Sequence, residues 1–416
     1  MTAPAGEPRR LSMYTAALTV VKTLRENGHV ALFAGGCVRD QRMGKRPHDF
    51  DVATDAPPER IIALFRRTRK VGMQFGVVLV GMRQFWIEVA TFRSDGVYLD
   101  GRRPESVQFT DAREDALRRD FTINGMFYDP IDRKVIDYVG GEADIAARRI
   151  RAIGPPAQRF AEDHLRLLRA IRFAARFDFE IEPATWSAIA AHAPLIKKIS
   201  PERIHDELER MLTHPRRARA FADLHAAGLL PHLWPGSEAM VEHHAAIHAL
   251  LAALPATASF ELGLTALLHR LPLGSIEEVC KALTCSNRTT KSVVWLVTHQ
   301  DVLLNPDVVT LADLKLLMAR PPFAELLELL AAKLTAEGRP SIAHRTIVAR
   351  THKIAPEEVA PPAMITGKHL GKMGLPPGPK YKAILEKVYY AQLNGDVRDK
   401  SEARTFARRL VEDAEE

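Results

Sequence analysis

The chain has 416 residues, 46% hydrophobic and 26% charged, the balance of a globular protein too long for one ordinary core and expected to form two to four folding units. No apolar run approaches the roughly 20 residues of a membrane helix, and the opening MTAPAGEPRR is followed by no signal-like apolar stretch, so no membrane partner and a cytoplasmic location are expected. Cys37, Cys280 and Cys285 are too few for a disulfide framework and fit no zinc spacing, while a net charge of +7 with a pI near 9.3 favours a polyanionic partner.

In chain order, the segment from about 30 to 137 alternates short apolar runs with helical stretches. HVALFAGG, FGVVLVGM, QFWIEVATF and SVQFT read as strands, and PPERIIALFRRT reads as a helix opened by proline and an acidic residue. From Pro155 onward apolar residues recur at helical spacing nearly to the end, interrupted near Gly154-Pro155-Pro156, near Pro235-Gly236 and in a Pro-rich stretch at 354–367. The pattern predicts an α+β protein, a small α/β head with a long all-helical remainder and no internal repeat.

The head carries an unusual grouping. In AGGCVRDQRMGKRPHDFDVAT, residues 34–54, the Asp-Phe-Asp on a strand sets Asp49 and Asp51 on one face and turns Phe50 into the core. Two carboxylates so close repel unless a hard cation lies between them, and magnesium takes one or two carboxylates together with water and phosphate oxygens. Glu88 in WIEVATFR points opposite Ile87 and Val89 and offers a third acid, enough for two metals. A lone pair of acids is also what a solvated strand end looks like, but Gly35 and Gly36 weigh against it. They follow an apolar strand, and their backbone can approach a phosphate if CVRD begins a helix, with Arg39 adding a charge-assisted contact.

These residues resemble the signature of the nucleotidyltransferase superfamily, in the branch that holds CCA-adding tRNA nucleotidyltransferases and bacterial poly(A) polymerases. The likeness continues through RRDFTINGMFYDP at 118–130, DIAARRIRAIG at 144–154, EDHLRLLRAIRFAARF at 162–177 and SPERIHDEL at 200–208. It implies a nucleotidyltransferase head with a small mixed β-sheet over 1–150, then an all-α neck (151–215), body (216–355) and tail (356–416). It further implies Mg2+ held by Asp49 and Asp51 with Glu88 as catalytic support, and triphosphate contacts from Gly35, Gly36 and Arg39. Nucleotide contacts are carried over onto Arg119, Asp120 and Asn124, and the partners implied are tRNA, CTP and ATP.

On one helix Asp163, Arg166, Arg169 and Arg172 would form a stripe of one acceptor and three forked donors. A carboxylate accepts from an exocyclic amine and an arginine donates to a ring nitrogen or carbonyl; CTP and ATP both present an amine beside a ring-nitrogen acceptor, and UTP and GTP do not. In the family two such residues read the base, so Asp163 and Arg166 stand as a protein template. The resemblance also marks RSDGVYLDGRRPESVQF at 93–109 as the loop that A-adding enzymes possess. Met73 and Gln74 stand where the poly(A) polymerases usually carry a basic pair, which favours tRNA; an A-adding enzyme working with a CC-adding partner, a poly(A) polymerase, and an RNA-binding module with an inert head are the alternatives. In TALLHRLP, Arg270 replaces the Asp ligand of a His-Asp phosphohydrolase, and His244 and His248 lack the Glu of a zinc-protease helix, so no phosphohydrolase activity is expected. The basic runs at 66–70, 214–220 and 371–382 are candidates for phosphate contact, and the apolar face of YKAILEKVYYAQL leaves monomer and homodimer both open.

Overall fold

A computed structural model describes residues 12–96, 106–375 and 378–412, apart from the Gln74 side chain. Its internal contacts divide the chain into two compact units, one of residues 1–211 with 219–241 and the other of 212–218 with 242–416.

The first unit opens with α1 (Met13–Glu26), β1 (Ala31–Ala34), α2 (Gly36–Arg42), β2 (Asp51–Thr54) and α3 (Pro58–Leu64). Next come β3 (Thr68–Arg69), β4 (Val77–Met82), β5 (Phe85–Thr91), β6 (Arg93–Asp95), β7 (Val107–Phe109) and α4 (Ala112–Leu117). Then follow β8 (Phe127–Asp129), β9 (Lys134–Ile136), α5 (Gly141–Ala146), β10 (Arg149–Ile150), α6 (Pro156–Glu162), α7 (Leu165–Phe177) and β11 (Glu180–Ile181). Seven strands make one sheet in the order β3-β4-β5-β2-β1-β8-β9. Only β2 and β5 run parallel in it; the other neighbours are antiparallel, so the sheet is mixed as the sequence predicts.

Alternation along the strands gives the sheet two unlike faces. On one, Phe33, Val52, Val78, Val80, Ile87 and Val89 are buried with Val20, Val21 and Leu24 of α1 and Ile61 of α3. Tyr14, Phe33 and Phe50 meet there with ring centroids 5.2–5.7 Å apart, which anchors the segment entering β2. The opposite face is apolar where Leu32, Ala34, Ala53 and Phe127 are buried with Phe92 and Ala116, and polar around Asp51 and Glu88.

The sequence expectation leaves α1 unread and differs in three further places. The regular strand begins at Asp51, so Asp49 and Phe50 lie just before it. A short parallel pair joins β10 to β11 beyond Pro155, where only helix was expected. The loop between β6 and β7 is described only at its two ends, which pair antiparallel; residues 97–105, the centre of the expected A-adding loop, fall outside the described residues.

The second unit is helical. Ile384, Val388 and Ala391 of the helix Pro379–Asn394 are buried with Ala403, Ala407 and Val411 of Lys400–Glu412. Tyr390 and Asn394 of the former helix bond Asp313 and the Ala312 amide at 2.9 and 2.8 Å, so the apolar face of YKAILEKVYYAQL has an internal partner. Arg217, 1% exposed, donates to the carbonyls of Leu212, Leu254 and Ala256. Part of the basic run at 214–220 is thus structural rather than available to RNA. Among the described residues no helix is long and apolar enough to cross a membrane.

Candidate active site

Asp51 stands one step before the Val52–Val89 pair of the parallel strands, so Asp51 and Glu88 are lateral neighbours on the face of the sheet turned away from α1. Glu88 lies between buried Ile87 and Val89, which fixes its direction. Crowding by protein, then the charges of Glu88 and Asp49, push the Asp51 carboxyl up to about 6 against the pull of Arg119. Burial and Asp49 raise Glu88 as well. Three carboxylates therefore share one field, the situation that a divalent cation relieves.

Those three acids do not form a closed cage. Among the described residues no three acidic, histidine or cysteine side chains come close enough to hold a cation unaided. Such an open donor set fits a magnesium ion, which completes its shell with water and phosphate oxygens, better than a fully protein-ligated metal. Asp49 is exposed beside the cleft and not in its lining.

The two glycines act differently from each other. Gly35 has φ 68°, and a Cβ there would sit 3.0 Å from Arg119 Nη1, so both conformation and space demand glycine. Its amide already donates to the Met126 carbonyl at 3.2 Å, which removes it as a phosphate donor. Gly36 opens α2, where amides have no partner within the helix, and borders the cleft. Arg39 from the same helix is 5% exposed, paired with Asp40, bonded to Asn124 Oδ1 at 2.6 Å and laid 4.6 Å over the Phe177 ring.

Across from α2, buried Asp115 receives both Arg118 and Arg119 at 2.6 and 2.9 Å and spreads their guanidiniums into the cleft. Burial alone would raise the Asp115 carboxyl, but Arg119 and Arg118 together hold it below the usual range. Asp120 accepts from Asn124 and, through a fork, from Arg169 at 2.6 and 2.8 Å. Burial opposes its ionisation, yet Arg169 and Asn124 prevail and bring its carboxyl from 3.8 to about 2.

A folded value below the unfolded one means that the Asp120 carboxylate contributes its stability in full above about pH 4 and loses it as pH falls toward about 2, some ~2 kcal/mol in all. Asp120→Asn is therefore expected to be about 2 kcal/mol less stable than wild type near neutrality, the gap narrowing by about 1 kcal/mol on acidification to about pH 3. Urea unfolding at the two pH values checks this.

The expected stripe of acceptor and donors is broken at its first member. Asp163 has φ −142° and ψ 105°, between α6 and α7, and its carboxylate accepts from Arg203 at 2.8 Å. It faces the cleft from that break. Arg166 is held by Glu162 at 2.8 Å and by the Arg118 carbonyl at 3.0 Å. Arg172 is not brought to the site; it is buried against Glu207 and absent from the cleft lining.

Together these residues enclose a cleft of about 500 Å³. Arg39, Arg93, Arg118, Arg119, Arg166 and Arg169 line it against Asp51, Glu88, Asp120 and Asp163, an excess of positive charge suited to a polyphosphate. Sequence reasoning missed Asp115, although its spacing to Arg118 and Arg119 is the i+3, i+4 pattern of a helix pair. It also missed Phe173 and Arg93, which only the fold brings to the cleft.

Elsewhere, His269 donates from Nδ1 to the Ala266 carbonyl at 2.9 Å and accepts at Nε2 from Arg270 at 3.1 Å, and burial lowers its pKa to about 4. Both ring nitrogens are thus occupied by the protein, and His244 and His248 are exposed.

Residues 31–151 match the model of the poly A polymerase head domain, and residues 178–240 that of the probable RNA and SrmB-binding site of polymerase A. The CCA-adding enzyme of Levilactobacillus brevis is 34% identical, over 95% of this chain and 97% of its own length. That of Bacillus licheniformis is 42% identical over 55% of this chain and 58% of its own. Among solved structures, the Bacillus stearothermophilus CCA-adding enzyme in complex with CTP superposes with a TM-score of 0.80 at 31% identity, covering 97% of this chain and 98% of that one. The fold alone is shared with the Thermotoga maritima CCA-adding enzyme complexed with tRNA, at 22% identity, 95% and 94% coverage and a TM-score of 0.67.

Proposed function

The chain belongs to the family of CCA-adding enzymes, nucleotidyltransferases related to poly(A) polymerases, and from that membership we propose that it adds the 3′-terminal CCA to tRNA from CTP and ATP, without a nucleic-acid template and with release of pyrophosphate. The observation that carries the reading is the convergence in one cleft of the paired acids Asp51 and Glu88, the α2 start with Gly36 and Arg39, and the base-facing pair Asp163 and Arg166.

Each group has a distinct task. Gly36 and the first turn of α2 receive the triphosphate, with Arg39 and Arg119 neutralising its charge. Asn124 holds Arg39 and Asp120 in place, and Asp120 in turn fixes Arg169 over the nucleotide sugar and phosphates. Asp163 accepts from the exocyclic amine of cytosine or adenine, and Arg166 donates to the neighbouring ring nitrogen. Asp49 and Asp51 would hold two magnesium ions with Glu88 in support, which supply a more acidic 3′-hydroxyl and charge neutralisation on the departing pyrophosphate. The rest of catalysis is positioning, and no nucleophilic side chain is required.

The head of residues 1–150 thus performs the transfer, the neck of 151–215 selects the base, and the body and the tail of 356–416 bind tRNA. A tRNA substrate sets the place of work in the cytoplasm. The experiment is a paired count of nucleotide incorporated and pyrophosphate released. One pyrophosphate per nucleotide is expected, both lost to a chelator and both restored by excess Mg2+; incorporation undiminished by the chelator would contradict the metal assignment.

A further inference from the structure

On the face of the sheet that bears Asp51 and Glu88, a second cluster lies outside the nucleotide cleft. β5 alternates, so Trp86 shares that face with Glu88 while Ile87 is buried on the other. Gly81 lies opposite Trp86 and Leu79 opposite Glu88, and Leu79 in turn pairs with Arg69 of the edge strand β3. The guanidiniums of Arg69 and Arg67 are 4.1 and 4.6 Å from the centre of the Trp86 ring. Arg67 reaches it by crossing Gly81, where a Cβ would fall 2.7 Å from Arg67 Cδ, and it is tethered to the Arg83 carbonyl.

Arg66, Arg67, Arg69, Lys70 and Arg83 are all exposed here. Among the described residues none of them has a carboxylate in ion-pair range. Charges in the cleft are neutralised by Asp40, Asp115, Asp120 and Glu162, whereas these are left for a ligand.

Position decides which ligand. Cleft residues Ala90, Thr91 and Arg93 come after Glu88 in the chain, and Gly36 and Arg39 come from the β1 side of the sheet. Trp86 and its neighbour Gly81 come before Glu88, whereas cleft residue Val77 of β4 pairs with Ala90 beyond it, so cluster and cleft lie toward opposite ends of β5, on either side of Glu88. In-line displacement brings the attacking oxygen in opposite the leaving group. At roughly 3.3 Å per residue and 4.8 Å per strand, Trp86 is about 7 Å from Glu88 and Arg69 about 10 Å, within reach of the last nucleotides of the strand that delivers that oxygen.

We propose that Arg67, Arg69 and Trp86 form a platform for the sugar–phosphate backbone at the 3′ end of the RNA substrate, acting as positioning residues for the attacking hydroxyl. The ring holds two guanidiniums against it, and their forks grip phosphodiester oxygens. The proposal rests on the reading of the cleft as a nucleotidyl-transfer site.

The test measures addition of the first nucleotide to a tRNA transcript ending at the discriminator base, using the full chain as wild type, R67A/R69A, R67K/R69K and G81V. For R67A/R69A the KM for tRNA is expected to rise about tenfold with that for CTP within about twofold, and the log–log salt slope of tRNA binding to flatten by about 1.4, roughly 0.7 per phosphate contact on a single strand. R67K/R69K should recover the slope but only part of the KM, because a point charge lacks the fork. G81V keeps every charge and displaces Arg67, so it too should raise the KM for tRNA alone. An unchanged KM and slope in R67A/R69A, or equal rises for tRNA and CTP, would overturn the platform while the wild type still adds CCA. A wild type that extends no tRNA would instead overturn the functional reading beneath it.

Discussion

Asp51→Ala is expected to lower nucleotide incorporation by roughly 10³-fold or more, the scale of losing one preorganised electrostatic element, while tRNA affinity stays within about twofold. Asp51 lies in the cleft beside Glu88 and under the field of Asp49, and its carboxyl is pushed up to about 6 by that crowding. Removing it relieves repulsion in the free protein, so the variant should be no less stable than wild type. Catalytic loss without loss of stability or RNA binding separates a metal-holding role from a structural one. Single-turnover incorporation beside a filter-binding isotherm measures both, and retained incorporation would end the metal assignment.

Replacement of Asp163 should strike base choice instead. Asp163→Ala is expected to cost about 1–3 kcal/mol in kcat/KM for both CTP and ATP, with UTP scarcely affected, so that discrimination narrows by the same amount. Arg166 should behave in parallel, but its guanidinium also bonds the Arg118 carbonyl, so Arg166→Ala will loosen the turn before Arg119 as well. Asp163→Asn is the sharper probe. An amide keeps size and the Arg203 contact geometry while adding an NH2 donor that faces the nucleotide amine. Competition of CTP against UTP in one reaction reads the ratio directly, and an unchanged ratio would remove Asp163 from base recognition.

Much of this site was legible in the sequence because its chemistry is local. The alternation around Glu88 and the glycines ahead of CVRD follow from the period of a strand or the start of a helix, whereas the shared strand face expected of Asp49 and Asp51 does not form, since the regular strand begins only at Asp51. What escaped was set by partners remote in the chain. The Gly35 amide is taken by Met126, which sits 91 positions on and is brought near by the pairing of β1 with β8. Arg172 keeps the helical spacing of Arg166 and Arg169 yet is drawn to Glu207 on another helix. Apolar periodicity runs through the α6–α7 break without a sign, because Phe160, Leu165 and Leu168 are buried on both sides of it. The same blindness hid α1, whose Val20, Val21 and Leu24 have meaning only against the sheet.

Complete CCA addition is read out on tRNA transcripts ending at the discriminator base, at C and at CC, each given CTP alone, ATP alone or both. With both nucleotides every transcript is expected to extend to CCA and stop there, with CTP alone halting after the second C. A single A added to the CC transcript and nothing to the others, or a long A tail on any RNA, would contradict it.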